Sequence, residues 1–124
     1  MTLILVCGSR DWGDEDFIAD VLADYTTELN VTIMHGACSR RVEGQEMSAD
    51  MLADAVAEFY GFRRLPILAD WHRHGRAAGP IRNRQMLDRE PDRVIAFQRN
   101  GSRGTQDTID EARRRGIPVE VYTS

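Results

Sequence analysis

Lysine is missing from this sequence: all 16 basic residues are arginines, and 20 acidic residues bring the formal net charge to -4. A DNA-binding domain usually carries a basic face, so this acidic balance disfavours nucleic acid as the main partner. Arginine still grips phosphate and carboxylate groups with two parallel hydrogen bonds. The charge therefore predicts local anion sites on an acidic protein.

Cysteine and long apolar runs are also scarce. Cys7 and Cys38 are too few for a disulfide framework, which favours buried or reduced thiols in a reducing compartment. No apolar stretch approaches the roughly 18–20 residues of a membrane span. The first residues lack the basic leader of a signal peptide. Together these absences predict a protein of the cytoplasm.

The length and composition are those of one ordinary globular unit. A chain of 124 residues, with 42% apolar and 29% charged residues, has the size and balance of a typical soluble domain. Such a chain buries enough apolar surface to fold without a metal or a disulfide. We therefore expect residues 1–124 to form a single domain.

Short apolar runs alternate along the chain with segments of helical periodicity. Wholly apolar runs ended by glycine are typical of parallel strands buried on both faces. Apolar residues that recur every three or four positions predict amphipathic helices. The predicted strands cover residues 3–7, 31–35, 64–68, 93–97 and 117–121, and the predicted helices cover residues 14–29, 48–60, 80–88 and 104–115. This alternation predicts an α/β fold, a Rossmann-like three-layer αβα sandwich with a five-stranded, mainly parallel sheet.

Unusual residues follow the predicted strands, at the sheet edge where open α/β proteins bind ligands. After the first strand, Gly8 permits a sharp turn, Ser9 offers a hydroxyl and Arg10 reaches an anion, with Asp11 and Trp12 beside them. The alternative is a simple tight turn in which Trp12 packs on the sheet edge. The segment lacks the later residues of a P-loop or a dinucleotide-binding fingerprint.

After the second strand, His35 is followed by Gly36 and Ala37, and a polar stretch leads to Asp50. His35 either binds a ligand or ties its own loop down. Asp50 opens a predicted helix, where a carboxylate is often a cap. Its alternative role is to accept hydrogen bonds from a ribose at the wall of a pocket.

The segment 70–83 is rich in Trp, His and Arg, residue types that stack on bases and grip phosphates. Its candidate ligand-binding residues are Asp70, Trp71, His74, Arg82 and Asn83. His72 and His74 have the spacing of a metal pair, but no third ligand is evident and no metal is predicted.

After the fourth strand, glycines and hydroxyls at Gly101–Thr105 precede the last long helix. Free N–H groups and the helix dipole make such a turn an anion site, with Gly104 and Thr105 as candidate ligand residues. We expect this turn to lie beside the Gly8 turn.

These motifs occur together and in a fixed order along nearly the whole chain. They are Gly8-Ser9-Arg10-Asp11-Trp12, His35-Gly36-Ala37, Ser48-Ala49-Asp50, Asp70-Trp71 with His74-Gly75, Ala78-Gly79-Pro80 with Arg82-Asn83, and Gly104-Thr105 with Gly116-Ile117-Pro118-Val119. The combination resembles the YspA-like, cpYpsA-related branch of the SLOG superfamily. The resemblance implies a Rossmann-like sheet, homodimers, and nucleotide or nucleotide-derived ligands such as ADP-ribose-like molecules. Wider relatives are the LOG phosphoribohydrolases and the single-stranded DNA-binding protein DprA.

The sequence departs from that branch at the expected site. Ala37 and Ser48 replace glycines of the family pattern, and extra residues 40–47 lie between them. LOG enzymes carry a glutamate where this chain has Thr108. A base-releasing hydrolase needs a carboxylate that activates water, so Asp50 and Asp107 are the candidate catalytic residues.

Three functional hypotheses follow, in order of preference. The first is a protein that senses or sequesters a nucleotide-derived, phosphate-bearing small molecule, without a cofactor and without catalysis. The second is a nucleotide-processing hydrolase of the LOG type. The third is a DprA-like single-stranded DNA-binding protein, which would need stacking aromatics and a basic groove.

Overall fold

A computed structural model describes residues 1–39, 41–46 and 48–124. The elements in chain order are β1 Thr2–Gly8, α1 Glu15–Ala23, β2 Val31–His35, β3 Arg41–Val42, β4 Gln45–Glu46, α2 Ala49–Phe59, β5 Arg63–Pro66, α3 Trp71–His74, α4 Ala78–Leu87, β6 Arg93–Gln98, α5 Arg103–Arg114 and β7 Val119–Thr123. One turn of 3-10 helix, Gly75–Ala77, joins α3 to α4.

Five strands form one sheet in the order β5-β2-β1-β6-β7, and every neighbouring pair is parallel. This topology confirms the predicted Rossmann-like α/β fold. The strand order reverses between β1 and β6, because the chain leaves β1 toward one edge and later returns to β1's other side. Loops diverge at such a reversal and leave a crevice at the carboxyl ends of the strands.

The core consists of two apolar layers, one on each face of the sheet. Ile4 and Val6 point into the layer that α1 and α2 cover, while Leu5 and Cys7 point into the layer that α4 and α5 cover. Side chains alternate across a strand, so a strand buried on both faces must be apolar at every position. This requirement explains the continuous apolar run at the start of the sequence.

Several predicted boundaries shift by a few residues: β5 ends at Pro66 rather than at residue 68, and α4 begins at Ala78 rather than at residue 80. Two other shifts have identifiable reasons. α1 ends at Ala23 rather than at residue 29, because the following residues reach the surface and Leu29 is 84% exposed. β7 begins at Val119 rather than at residue 117. Pro118 has no N–H group to donate to the sheet, and the Ile117 N–H bonds back to Ala112 at the end of α5.

The two long connections contain short elements that the sequence analysis did not predict. In the first, β3 and β4 form an antiparallel hairpin whose turn residues, Glu43 and Gly44, have φ of 52° and 82°. Two consecutive positive φ values are the geometry of a two-residue hairpin turn. In the second, Asp70 begins α3 by accepting a hydrogen bond from the Arg73 N–H at 3.0 Å. Throughout the described ranges, no helix has the length and apolarity needed to cross a membrane.

Candidate functional site

A cleft of about 730 Å³ opens at the carboxyl ends of β1, β2 and β6. α4 and α5 begin at its wall, α4 with Gly79 and Pro80 and α5 with Gly104 and Thr105. The volume is that of a small-molecule site. The first N–H groups of α5 lack partners within that helix, so α5 presents donors toward this space. In α4, by contrast, the Ala78 N–H bonds to the Gly75 carbonyl and Pro80 has no N–H group.

The structure brings most of the sequence-predicted site residues to this cleft. Those that line it are Gly8, Ser9, Arg10, Asp11, Gly36, Asp50, Trp71, Arg82, Asn83, Gly104 and Thr105, together with the catalytic candidate Asp107. They come from turns that are far apart in the sequence. They meet because the carboxyl ends of parallel strands share one edge of the sheet.

The turn after β1 is packed tightly between α2 and β6. A Cβ atom at Gly8 would lie 2.4 Å from the Ala49 Cβ and 2.6 Å from the Phe97 carbonyl oxygen. The buried Ser9 hydroxyl accepts a hydrogen bond from the Arg99 N–H at 2.7 Å and donates to the Arg99 carbonyl at 3.0 Å. Ser9 therefore joins the ends of β1 and β6, and its hydroxyl is already engaged in the protein.

Arg82 lines the cleft with its guanidinium group already engaged. The residue is 7% exposed, its Nη1 donates to the Gly36 carbonyl at 2.5 Å, and its Nε donates to the Asn83 Oδ1 at 3.1 Å. Its Nη2 lies 3.6 Å from the Cys38 Sγ. The fork that the sequence analysis expected to face a ligand thus holds the loop that follows β2.

Asp50 lies in the first turn of α2 but does not cap it. Ser48 is the cap, because its Oγ accepts the Met51 N–H at 3.2 Å. Asp50 is 5% exposed and its Oδ2 accepts the Cys38 N–H at 3.1 Å. Of the two roles left open by the sequence, the position at the cleft wall is the one that the structure supports.

Burial controls the protonation of the cleft floor. It raises the pKa of Asp50, while the Cys38 N–H bond and the nearby His35 and Arg82 act in the opposite direction. Burial also raises the pKa of the Cys7 thiol, and the Asp50 charge adds to that effect. The floor therefore holds a protonated thiol and a carboxyl group that resists ionisation.

Asp107, the second catalytic candidate, is held by residues of α4. The Asn83 Nδ2 donates to the Asp107 Oδ2 at 3.2 Å and approaches the Gly104 carbonyl at 3.4 Å. Arg84 lies 3.8 Å from the same Asp107 oxygen. Thr108, at the place of the LOG glutamate, lines the cleft and donates its hydroxyl to the Gly104 carbonyl at 3.3 Å.

Arginines at the rim are the main residues that sequence reasoning missed. Arg99 and Arg103 line the cleft beside Arg10, and the Arg99 Nη1 donates to the Asp11 carbonyl at 3.1 Å. Arg10 and Arg103 are exposed, and their side chains form no hydrogen bond or ion pair with any residue that the structure describes. The available signal was that Arg99 directly follows β6 and that Arg103 lies in the glycine-rich turn where α5 begins. The lining residues not predicted are Cys7, Cys38, Gly79, Pro80, Met86, Arg99, Asn100, Ser102, Arg103 and Thr108.

Five sequence-predicted residues lie away from the cleft, namely Trp12, His35, Ala37, Asp70 and His74. Trp12 is 4% exposed, and its ring centroid lies 5.9 Å from that of Phe17 and 5.4 Å from that of Phe97. This is the packing alternative stated for Trp12. Asp70 caps α3, and His74 lies in that same helix.

His35 and Ala37 line a second cavity of about 650 Å³, which Met51, Asp54, Phe62, Arg63, Arg64 and Pro66 complete. The His35 Nε2 lies 2.8 Å from the Asp54 Oδ1, and the Asp54 Oδ2 lies 3.1 Å from the Arg64 Nη1. The His35 Nδ1 accepts the Ala37 N–H at 3.0 Å. The loop-tying alternative is therefore the one realised for His35.

Metal binding finds no support in these contacts. Among residues 1–39, 41–46 and 48–124, no three His, Cys, Asp or Glu side chains are grouped so that they could hold an ion.

The fold is that of a Rossmann-like protein, with a cleft at its topological switch point. The sequence profile of the YspA, cpYpsA-related SLOG family (YAcAr) matches residues 2–74, so this chain belongs to that family. The family suggests nucleotide-related ligand binding or processing.

Two further similarities cover nearly the whole of this chain. The chain is 35% identical over 123 residues to the Gene 61 protein of Mycobacterium phage D29, covering 96% of this chain and 94% of that protein. A crystal structure described as the glycotransferase of kitacinnamycin superposes with a TM-score of 0.52 at 15% identity, over 98% of this chain. This chain spans only 30% of that enzyme chain, and the likeness shows the fold alone.

Proposed function

We propose that this protein binds a nucleotide or nucleotide-derived, phosphate-bearing small molecule in the cleft, and thereby senses or sequesters it. The observation that carries the proposal is the pairing of a helix N-terminus with arginines that have no partner among residues 1–39, 41–46 and 48–124. Arg10 and Arg103 stand at the rim beside the first turn of α5. A charged group without a partner at a concave site is available to a ligand of opposite charge.

The beginning of α5 is suited to the phosphate. Ser102 precedes the helix but its side chain makes no capping hydrogen bond, so the first N–H groups remain open to an anion. A Cβ atom at Gly104 would meet no atom within 4 Å, so a ligand has access to this part of the backbone. The helix dipole contributes roughly 0.3–1 kcal/mol for each negative charge at this position.

The remaining walls are suited to a base and a sugar. Trp71 is 52% exposed and lines the cleft, where an aromatic surface stacks on a base. The buried Asp50 has one oxygen bonded to the Cys38 N–H. Its other oxygen is an acceptor for a ribose hydroxyl.

The test is calorimetric titration of the purified protein with AMP, ADP and ADP-ribose. We expect saturable binding, and we expect Arg103→Gln to weaken it by about tenfold, since a hydrogen bond to a charged group contributes roughly 1.5–3 kcal/mol. Arg113→Gln is the matched control, because Arg113 is an exposed arginine at the far end of the same helix. If none of the three ligands binds, or if both variants behave alike, the proposal fails. Native mass spectrometry of molecules that copurify with the protein identifies the natural ligand.

A second candidate function is hydrolysis of a nucleotide at its N-glycosidic or phosphate bond. Asp50 and Asp107 both line the cleft, and burial raises the pKa of Asp50, as is common for a general acid. Release of adenine or phosphate from AMP, abolished by Asp50→Asn or Asp107→Asn, would support this candidate. Binding without turnover supports the first proposal. A salt-dependent mobility shift on an oligonucleotide would instead favour single-stranded DNA binding.

The homodimer and the cytoplasmic location that the sequence predicts remain predictions. Light scattering coupled to gel filtration measures the first, and fractionation of expressing cells measures the second.

A further inference from the structure

The loop of residues 36–38, here called the cleft loop, connects the cleft with the second cavity. On the cleft side, its Gly36 carbonyl accepts the Arg82 Nη1 at 2.5 Å and its Cys38 N–H donates to the Asp50 Oδ2 at 3.1 Å. On the other side, its Ala37 N–H donates to the His35 Nδ1 at 3.0 Å. The three consecutive residues are thus bonded to Arg82, His35 and Asp50, and the Cys38 carbonyl also accepts a hydrogen bond from the Ser48 Oγ.

The backbone of the cleft loop needs these contacts. Ala37 has φ of 54°, a left-handed conformation that disfavours any residue with a Cβ atom. Such a conformation persists only where its surroundings hold it in place. Loss of the contact with His35 would remove the hydrogen bond that the Ala37 N–H makes.

The contacts of His35 determine where its proton lies. The Ala37 N–H can only donate, so the His35 Nδ1 must be an unprotonated acceptor. The neutral ring then carries its proton on Nε2, which donates to the Asp54 Oδ1 at 2.8 Å. His35 is 1% exposed, so water cannot easily substitute for either partner. A second proton on the ring would place an N–H group against the Ala37 N–H and break that contact.

We propose that His35 is a positioning residue for the ligand site: its neutral Nε2–H form holds the cleft loop in the binding conformation, and its protonation releases the loop and lowers ligand affinity. The claim that protonation lowers ligand affinity rests on the proposed function of the cleft. The claim that neutral His35 holds the cleft loop concerns the loop alone and is tested without a ligand.

Several charged groups surround His35. Asp54 on α2 contacts the ring directly, and Arg64 on β5 shares the Asp54 carboxylate. Asp50 on α2 and Arg82 on α4 lie on the cleft side of the loop. Arg63 on β5 lines the second cavity.

The ligand-free test is NMR spectroscopy of the full chain labelled with 15N, as a function of pH. At neutral pH the long-range 1H–15N pattern of His35 should show the proton on Nε2, with the exposed His72 as an internal reference. On acidification, the backbone amide signals of Ala37 and Cys38 should shift together with the His35 ring signals. The inference is wrong if Nδ1 carries the proton at neutral pH. It is also wrong if the Ala37 and Cys38 amide signals do not shift while the His35 ring titrates.

Two substitutions separate the two ring nitrogens. In His35→Asn the amide oxygen stands near the Nδ1 position and still accepts from Ala37, whereas His35→Gln places its amide near Nε2 and leaves Ala37 without an acceptor. With ADP as the probe, we expect His35→Asn to bind within about threefold of the unmodified protein and His35→Gln to bind at least about tenfold more weakly, the loss of one hydrogen bond near a buried site. Arg63→Gln is the control for the second cavity and should bind as the unmodified protein does.

The pH dependence of ADP affinity completes the test. Acid protonates ADP and Asp50 in both proteins, so the difference between them reports on His35, including the effect of its charge on Asp50. Affinity should fall more steeply with acid in the unmodified protein than in His35→Asn. Equal pH profiles, or equal affinities of His35→Gln and His35→Asn with both variants folded, contradict the inference. If the unmodified protein does not bind ADP, the proposed function has failed, and the NMR result still decides the role of His35 in the loop.

Discussion

The cleft and the second cavity are nearly equal in size, at about 730 and 650 Å³, yet they differ in how their charged groups are used. In the second cavity, Arg64, Asp54 and His35 form one chain of contacts with each other. At the cleft rim, Arg10 and Arg103 find no partner among the described side chains. The second cavity also contains an exposed arginine without a partner among the described residues, Arg63. What sets the cleft apart is therefore that its open arginines lie beside the N-terminus of α5, and not its volume.

The same contrast extends to the interior of the cleft. Its structural contacts are made by residues beneath the surface, such as Ser9 bridging to Arg99 and Arg82 bridging to Gly36. Buried polar groups need such partners, because an unsatisfied one costs free energy. The exposed arginines at the rim need no partner within the protein, because water forms hydrogen bonds with their N–H groups. The cleft therefore has a hydrogen-bonded interior and exposed charges at its edge.

The strongest test of this interior is Gly8→Val, compared with Gly104→Ala. A side chain at Gly8 would overlap Ala49 and Phe97, so we expect a loss of about 3 kcal/mol in the free energy of unfolding. Gly104 also lines the cleft but has open space around it, so Gly104→Ala should leave stability unchanged or raise it by up to about 1 kcal/mol. Urea denaturation measures both. Equal losses in the two variants would show that the turn after β1 is not tightly constrained.

Arg82→Ala is expected to have the next largest effect. It leaves the buried Gly36 carbonyl without its donor and should lower the free energy of unfolding by about 2 kcal/mol. Arg82→Lys should recover little, because an ammonium group cannot reproduce the planar fork. Arg89→Ala, in the exposed turn that follows α4, is the control. If Arg82→Ala is as stable as the unmodified protein and loses only ADP affinity, Arg82 contacts the ligand directly and does not hold the loop.

Asp50→Asn is expected to stabilise the protein at neutral pH. Because burial raises the pKa of Asp50, the folded protein holds this proton more tightly than the unfolded chain does. Its contribution to stability is therefore most favourable in acid and declines as the pH rises from the ordinary carboxyl pKa through the raised one. Asparagine removes that decline, so the advantage of the variant should grow from acid to neutral pH. Urea denaturation across that range checks the sign, and a variant less stable at neutral pH contradicts it.

Arg64→Gln should have the smallest effect. Arg64 is 41% exposed where it meets Asp54 and Glu58, and ion pairs of this kind contribute about 0–1 kcal/mol. ADP affinity should not change, because the residue belongs to the second cavity. A tenfold change in ADP affinity would mean that the second cavity also takes part in ligand binding.

Much of the fold was predictable from local pattern. The apolar run of β1 and the glycine after it predicted a buried parallel strand, and the structure confirms both. The starts of α5 and β7 shifted by one or two residues. The hairpin of β3 and β4 and the short α3 were missed, since two- and four-residue elements carry no periodicity to detect.

The sequence by itself determined the alternation of strands and helices and the positions of the turns, because hydrophobic period and glycine act over a few neighbouring residues. It thereby also determined which turns share the carboxyl edge of the sheet. Only the tertiary structure decided which polar groups are engaged and which are open. Ser9 meets Arg99 across 90 positions and Arg82 meets Gly36 across 46, so these pairings depend on how the loops converge in space. A hydrogen bond forms only where two groups are brought within about 3 Å. The tertiary structure therefore decides whether an arginine side chain bonds to a loop or stays exposed at the rim of the cleft.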